Sequence, residues 1–124
     1  MTATITISLP ATQNAKFGFY GTIRTNKRRA WAAAISEFYN ATRCNPEAIV
    51  VWLDSRHGRH FADKVNERMS DLRHSRVSPL NNTVENAVRH CVKAEIRQYG
   101  KADFVKTATA WYAETLTSVD SEAV

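Results

Sequence analysis

Residues 45–72 read NPEAIVVWLDSRHGRHFADKVNERMSDL, and the rest of the fold is organised around them. The triplet Asn45-Pro46-Glu47 is typical of a helix start. The Asn side chain can cap the first turn, Pro suits the first helical position, and an early acid complements the helix dipole. The residues that follow are apolar on nearly every side, which predicts a buried helix that ends near Ser55.

A second helix is predicted from about Arg59 to Arg73. Its apolar residues recur at three- and four-residue spacing: Phe61, Val65, Met69 and Leu72. Gly58 is expected to end the turn between the two helices. The stretch therefore predicts two packed helices joined by a short cationic turn, residues 56–60.

Three further helices are predicted outside this stretch. They run over Lys27–Thr42 with a cap at Asn26, from a cap at Asn82 to Tyr99, and over Ala102–Leu116. Glu85 follows Asn82 by three residues as in a capping box, and Gly100 is expected to close the fourth helix.

The N-terminal segment is predicted to be extended. Residues 2–9 alternate apolar and polar positions, which favours a strand, and Phe17–Arg24 is its expected partner. A lone two-stranded hairpin is marginally stable, so it is expected to lie on the helices or to pair across a homodimer. The fold class predicted is mostly α, a bundle of about five helices with a short N-terminal β-hairpin or extended arm.

A chain of 124 residues with 44% hydrophobic residues suits a single domain with a real core. We expect residues 1–25 to form the hairpin or arm, residues 26–116 the helical core and residues 117–124 a flexible tail. Cys44 and Cys91 are far apart and form no CxxC pair, which favours two packed, reduced thiols.

The net charge of +5 favours acidic partners, either nucleic acid or a nucleic-acid-binding protein complex. The N-terminus lacks a signal-peptide pattern, and no apolar stretch reaches the ~18 residues that would span a membrane. A cytoplasmic protein without a membrane partner is therefore expected, and nothing in the sequence indicates a cofactor.

A metal site is one interpretation of the polar residues around the turn. His60, Asp63 and Glu67 fall at positions i, i+3 and i+7 of a helix and therefore share a face, with ligand types that suit a divalent cation. The simpler interpretation is that the acids pair with neighbouring cations three or four residues away. No known catalytic motif is present, so we predict no catalytic residues and keep a metal-dependent hydrolase or nuclease as a weaker alternative.

A DNA-reading helix-turn-helix is a second interpretation. The short Gly-containing turn between two helices fits that motif, and Arg59 and His60 would begin the recognition helix. Against it, Asp63, Glu67 and Asp71 lie on one stripe of that helix and would repel phosphates. A plain pair of packed helices is the favoured alternative.

A partner-binding surface is the third interpretation. Cations are concentrated at the start of the first long helix and at the turn. Arginine is one of the residues that are typical of interface hot spots. The predicted contact residues are Arg28, Arg29, Arg56, His57, Arg59 and His60.

The motif LDSRHGRHFAD at residues 53–63, with GFYGTI at residues 18–23, resembles segments of small proteins carried by conjugative plasmids and integrative elements. Genes of that kind often lie among antirestriction and other counter-defence genes. The resemblance covers roughly residues 17–65 and implies a mobile-element context. Together with the charge, it leads us to expect a non-enzymatic binding protein that docks a basic face on nucleic acid or on a nucleoprotein defence complex. A counter-defence inhibitor of the anti-CRISPR or antirestriction type belongs to this class.

Overall fold

The fold is helical throughout the part of the chain that the computed structural model describes, residues 19–23, 27–74 and 83–123. The helices are α1 (Phe19–Thr22), α2 (Lys27–Thr42), α3 (Pro46–Leu53), α4 (Arg56–His74), α5 (Val84–Tyr99) and α6 (Lys101–Ala123). The prediction of a mostly α bundle of about five helices is confirmed for these residues, which add one short helix, α1. The predicted strand over residues 2–9 and the predicted cap at Asn26 lie outside them.

The prediction of a strand over Phe17–Arg24 is wrong at Phe19–Thr22, which form one helical turn. The backbone N–H of Ile23 donates to the carbonyl of Phe19 at 3.1 Å, and both side chains are fully buried. In a short apolar run, four-residue spacing and alternation cannot be told apart by pattern alone. Residues four apart share a face in a strand as well as in a helix, so it is the backbone hydrogen bond from Ile23 to Phe19 that identifies the helical turn.

The centre of the core is a cluster of aromatic rings around Phe38 of α2. Phe38 stacks on Phe104 of α6 with ring centroids 4.4 Å apart, and it lies 5.2 Å from both Trp52 of α3 and Phe61 of α4. Phe38 is fully buried, as the periodicity of α2 predicts. One ring therefore joins four helices, and aromatic pairs of this geometry contribute beyond their buried area.

Helix α3 begins as its sequence predicts. The side chain of Asn45 accepts a hydrogen bond from the backbone N–H of Glu47 at 2.8 Å, and Pro46 occupies the first turn. Ile49, Trp52 and Leu53 are buried, so this short apolar helix lies in the interior.

The joint between α3 and α4 differs from the prediction. Helix α4 starts at Arg56 rather than near Arg59, because the carbonyl of Ser55 accepts from the backbone N–H of Arg59 at 3.2 Å. Gly58 consequently lies inside the first turn of α4 and does not end a turn. A Cβ at Gly58 would lie 1.8 Å from the carbonyl oxygen of Leu53, so the absence of a side chain is what allows the two helices to join so closely.

Helix α5 is capped at its N-terminus by Thr83 rather than by Asn82, which lies outside the described residues. The Thr83 side chain accepts from the backbone N–H of Asn86 at 3.2 Å. Gly100 ends α5 as predicted, with a φ of 88°. Helix α6 continues to Ala123, past its predicted end at Leu116.

None of the helices in the described part of the chain combines the length and the apolar character needed to cross a membrane.

Candidate functional site

A cleft of about 380 Å³ opens where the first turns of α4 and α6 meet the end of α5. We call it the α4–α6 cleft. Its lining combines aromatic rings with ionisable groups: Trp52, His57, His60, Phe61, Lys64, Glu95, Tyr99, Asp103, Phe104 and Thr107. The cleft brings part of the predicted cationic turn together with residues some 40 positions further along the chain.

One face of α4 forms a wall of the cleft. Its lining residues are His57, His60, Phe61 and Lys64, which follow the i, i+3, i+4, i+7 spacing of a single helix face. Arg56 and Arg59 fall on the adjoining face of the same turn and are exposed. The predicted contact residues in α4 therefore form two groups, with the histidines in the cleft and the arginines beside it.

The opposite wall depends on Gly100, which alone separates α5 from α6. With a φ of 88° and a ψ of 152°, Gly100 adopts a conformation that residues with a side chain rarely tolerate. The sharp reversal places Tyr99 and Asp103 at the same cleft. Asp103 lies in the first turn of α6, where the helix dipole favours a negatively charged side chain.

The floor of the cleft is rigid because its rings belong to the core. Trp52 and Phe104 are nearly perpendicular at 5.0 Å, and both are at least 95% buried. His57 stacks on Trp52 with centroids 6.3 Å apart, and it meets Trp111 of α6 edge-on at 5.6 Å. The His57 ring thus bridges α3 and α6 at one side of the cleft.

Charges of both signs lie at the cleft: its lining carries Lys64, Glu95 and Asp103, and Asp63 is exposed beside Lys64 on α4. Lys64 lies 3.7 Å from Glu95, whose side chain is 15% exposed, so one of the two lining carboxylates is matched by a cation. Exposed cations occur on the helix turns that form the cleft: Arg56, Arg59, Lys64, Lys101 and Lys106. The N-terminal ends of α4 and α6 add the positive ends of two helix dipoles, and the C-terminal end of α5 adds one negative end.

Arg28 and Arg29, the other predicted contact residues, lie elsewhere. Arg29 forms two hydrogen bonds of 2.7 Å with Glu85 in the first turn of α5, whereas the cleft is at Tyr99 in its last turn. These two turns are separated by about 21 Å along the helix axis. The structure therefore does not bring Arg28 and Arg29 together with the α4 cations, and the charge of Arg29 is matched by Glu85.

The two residues between α3 and α4, Asp54 and Ser55, are shielded from solvent to different degrees and do not form a reactive pair with the neighbouring cations. Burial raises the pKa of the Asp54 carboxyl to about 6, and its Oδ1 atom is buried with no hydrogen-bond partner. Neither Arg56 nor Arg59 forms an ion pair with it among the described contacts. The Ser55 hydroxyl donates to the carbonyl of Trp52 and is buried, so it is not activated by His57.

No cluster of three or more His, Cys, Asp or Glu side chains in the described residues is arranged to hold a metal ion. His60, Asp63 and Glu67 are exposed on α4 and do not converge. The pairing expected between Lys64 and Glu67 is replaced by the contact of Lys64 with Glu95 on the neighbouring helix.

The helix-turn-helix interpretation gains little from the geometry. The turn is reduced to Asp54 and Ser55, and Asp63, Glu67 and Asp71 are all exposed along α4. A duplex laid along this helix would meet their negative charge.

Both cysteines are free and buried, as predicted. Burial is the main cause that raises the pKa of the Cys91 thiol, to about 11, and it also raises the pKa of Cys44. Both thiols are therefore protonated near neutral pH and are poor nucleophiles.

Sequence reasoning missed the α5 and α6 side of the cleft. Tyr99 follows Val88, Val92 and Ile96 at helical spacing, which predicts burial, yet it is 52% exposed at the mouth. The Tyr-Gly-Lys sequence at residues 99–101 is a usable signal, because a one-residue connection brings the end of one helix beside the start of the next. The sequence pattern does not show that α4 packs against the α5–α6 connection, because that packing is a tertiary contact.

Comparisons of the chain with protein-family models, with curated proteins and with solved structures return no match.

Proposed function

We propose that this chain is a non-enzymatic binding protein that docks the cationic start of α4 on an acidic partner, nucleic acid or a nucleoprotein complex. The observation that carries the proposal is the exposure of Arg56 and Arg59 in the first turn of α4. Cations there oppose the helix dipole and weaken the fold slightly. A partner that uses these two arginines would account for their exposure at such a position.

The surroundings support binding rather than catalysis. The polar groups nearest the turn do not form a nucleophile–base pair, since Ser55 is buried and donates to a backbone carbonyl. The aromatic cleft beside the arginines supplies the apolar anchor that tight interfaces usually contain. Arginine near a half-exposed tyrosine is a composition typical of interface hot spots.

The resemblance of residues 53–63 to proteins of plasmids and integrative elements suggests the biological setting. In that setting the acidic partner would belong to a host defence complex, and the chain would act as a counter-defence inhibitor of the anti-CRISPR or antirestriction type. A DNA-binding regulator remains the second candidate, weakened by the exposed acids of α4.

The test is capture of partners from a host lysate by the tagged chain, with and without nuclease treatment. The variant Arg56→Glu/Arg59→Glu should lose the partner. The matched control is Lys93→Glu/Arg97→Glu, which makes the same charge change on exposed positions of α5. Equal capture by the parent and by both variants would refute the proposal.

Nuclease treatment separates the two kinds of partner. A protein that remains bound after digestion indicates an acidic protein surface. Loss of all partners on digestion indicates that nucleic acid is contacted directly. A regulator would in addition bind pure duplex DNA, with an affinity that falls steeply as salt is raised.

A further inference from the structure

We propose that the α4–α6 cleft binds an unpaired base of single-stranded nucleic acid, which stacks on Tyr99 at its mouth while the exposed cations nearby hold the flanking phosphates. This inference rests on the proposed function and specifies the chemistry of its partner. It commits to single-stranded nucleic acid rather than to a protein or a duplex.

The size and lining of the cleft suit a flat ring. Its volume of about 380 Å³ lies in the range of small-molecule sites. Trp52, Phe61 and Phe104 form the apolar floor and are each at least 95% buried, so little of their ring surface is open to a ligand. Tyr99 stands half-exposed at the mouth, where its ring can stack on an entering base without any rearrangement of the core.

Charge distinguishes a nucleotide from an aromatic amino acid as the occupant. A peptide side chain would use the rings and leave the cations around the cleft without a counterpart. A nucleotide has both a π-face and a phosphate, and single-strand binding sites combine stacking platforms with positive charge in this way. Arg56, Arg59 and Lys101 are exposed beside the cleft and supply that charge.

Polar groups inside the cleft match the edge of a base. The Asp103 carboxylate can accept hydrogen bonds from amino or imino N–H groups, and the Thr107 hydroxyl can donate or accept. Carboxylates are known acceptors for the amino group of cytosine. The pattern favours bases that carry an exocyclic amino group over those that present only carbonyls at that edge.

A single strand fits better than a duplex. A base within a duplex is stacked and paired, and it must be extruded at an energetic cost before it can enter a cleft. The exposed acids Asp63, Glu67 and Asp71 further along α4 disfavour the second strand and its extra phosphates.

The experiment uses the full chain and three labelled probes at about 50 mM salt. The probes are a mixed-sequence single strand of about 12 nucleotides, an abasic sugar-phosphate strand of the same length, and the corresponding duplex. We expect the single strand to bind and to quench tryptophan fluorescence, because Trp52 lines the cleft and Trp111 lies beside it. The abasic strand keeps the charge but lacks the bases, so its Kd should be about 5- to 150-fold weaker. The duplex should also bind more weakly than the single strand.

The matched variants are Tyr99→Ala, Tyr99→Phe and Leu116→Ala. Tyr99→Ala should weaken the single strand but not the abasic strand, Tyr99→Phe should restore binding because it keeps the ring, and Leu116→Ala should match the parent. Leu116 is a suitable control because it is 46% exposed and lies outside the cleft. Thermal melting of each variant excludes a folding defect as the cause.

The outcomes separate this inference from the proposed function. Equal Kd values for the normal and abasic strands, or an unchanged Kd for Tyr99→Ala, overturn the base-binding cleft while leaving a cationic docking surface in place. No binding of any strand, with a nuclease-resistant protein captured through Arg56 and Arg59, overturns the cleft inference alone. No oligonucleotide binding and no partner dependent on Arg56 and Arg59 overturn both.

Discussion

Replacement of Gly58 by alanine tests the close joint between α3 and α4. The new Cβ would lie 1.8 Å from the carbonyl oxygen of Leu53, whereas Cβ atoms in proteins essentially never come within 3.0 Å of such an atom. The contacting atoms are backbone on both sides, so no side-chain rotation can relieve the overlap. The two helices must move apart by more than about 1 Å at a point where Leu53 is fully buried.

The expected cost of Gly58→Ala follows from two opposing effects. Overpacking of this kind costs ~1–3 kcal/mol and occasionally more, and backbone overlap belongs at the upper end. Alanine in place of glycine within a helix returns ~1 kcal/mol. We therefore expect a net loss of about 2 kcal/mol or more, which lowers Tm by roughly 5–10 °C for a chain of this size.

Circular dichroism melting and urea unfolding of Gly58→Ala measure this loss. The control is Ser70→Ala, an exposed position further along α4, which should gain a few tenths of a kcal/mol from helix propensity. A Gly58→Ala chain as stable as the parent, or more stable, would show that the helices do not approach as described. The helix-propensity effect alone predicts that opposite result, so the two outcomes are well separated.

Three further predictions concern the core, the α5–α6 turn and pH. Phe38→Ala should cost ~3–5 kcal/mol and leave the chain largely unfolded in urea titrations, because one ring joins four helices; a loss under 1 kcal/mol would contradict that role. Gly100→Ala should cost ~1–3 kcal/mol from backbone strain alone, since the added Cβ meets no atom within 4 Å; an unchanged Tm would contradict the strain. Because the pKa of Asp54 rises from 3.8 to about 6 on folding, stability should fall as pH increases from about 4 to 6. Asp54→Asn should abolish that contribution and raise stability at pH 7 by about 1 kcal/mol after allowance for solvent screening; pH-dependent melting curves of equal slope for parent and variant would contradict it.

Local signals in the sequence predicted the features that depend on neighbours along the chain. The cap at Asn45, the bounds of α2 and the end of α5 at Gly100 are of this kind. Each is decided by a few adjacent residues and their backbone hydrogen bonds. The buried faces of α2 and α4 were predictable for the same reason, because helical spacing alone determines which side chains share a face.

Features that depend on distant contacts were predicted less well. Gly58 has the pattern of a turn residue, yet its role is to accommodate the carbonyl of Leu53 inside a helix. Phe19–Thr22 fit a strand by alternation but form a helical turn, because residues four apart share a face in both structures and the pattern alone does not choose between them. The cleft itself requires α4, α5 and α6 to meet at one end, and of its ten lining residues only His57 and His60 are among the predicted contact residues.

The predicted basic face illustrates the same limit. Its six residues are all arginine or histidine, but they do not lie together. Arg29 pairs with Glu85 in the first turn of α5, whereas the cleft with His57 and His60 is at the last turn of α5. The charge composition predicts an acidic partner. Which cations lie together depends on how the helices are packed, and the composition does not contain that information.

The most direct test of the central claim is to measure stability and binding together in Arg56→Glu/Arg59→Glu. If these arginines are kept for a partner, the variant should lose capture of that partner and still fold. Each acid in the first turn of α4 would complement the helix dipole by ~0.3–1 kcal/mol, so its urea midpoint should equal or exceed that of the parent. A variant that unfolds earlier than the parent, or that captures the partner as well as the parent does, would contradict the account.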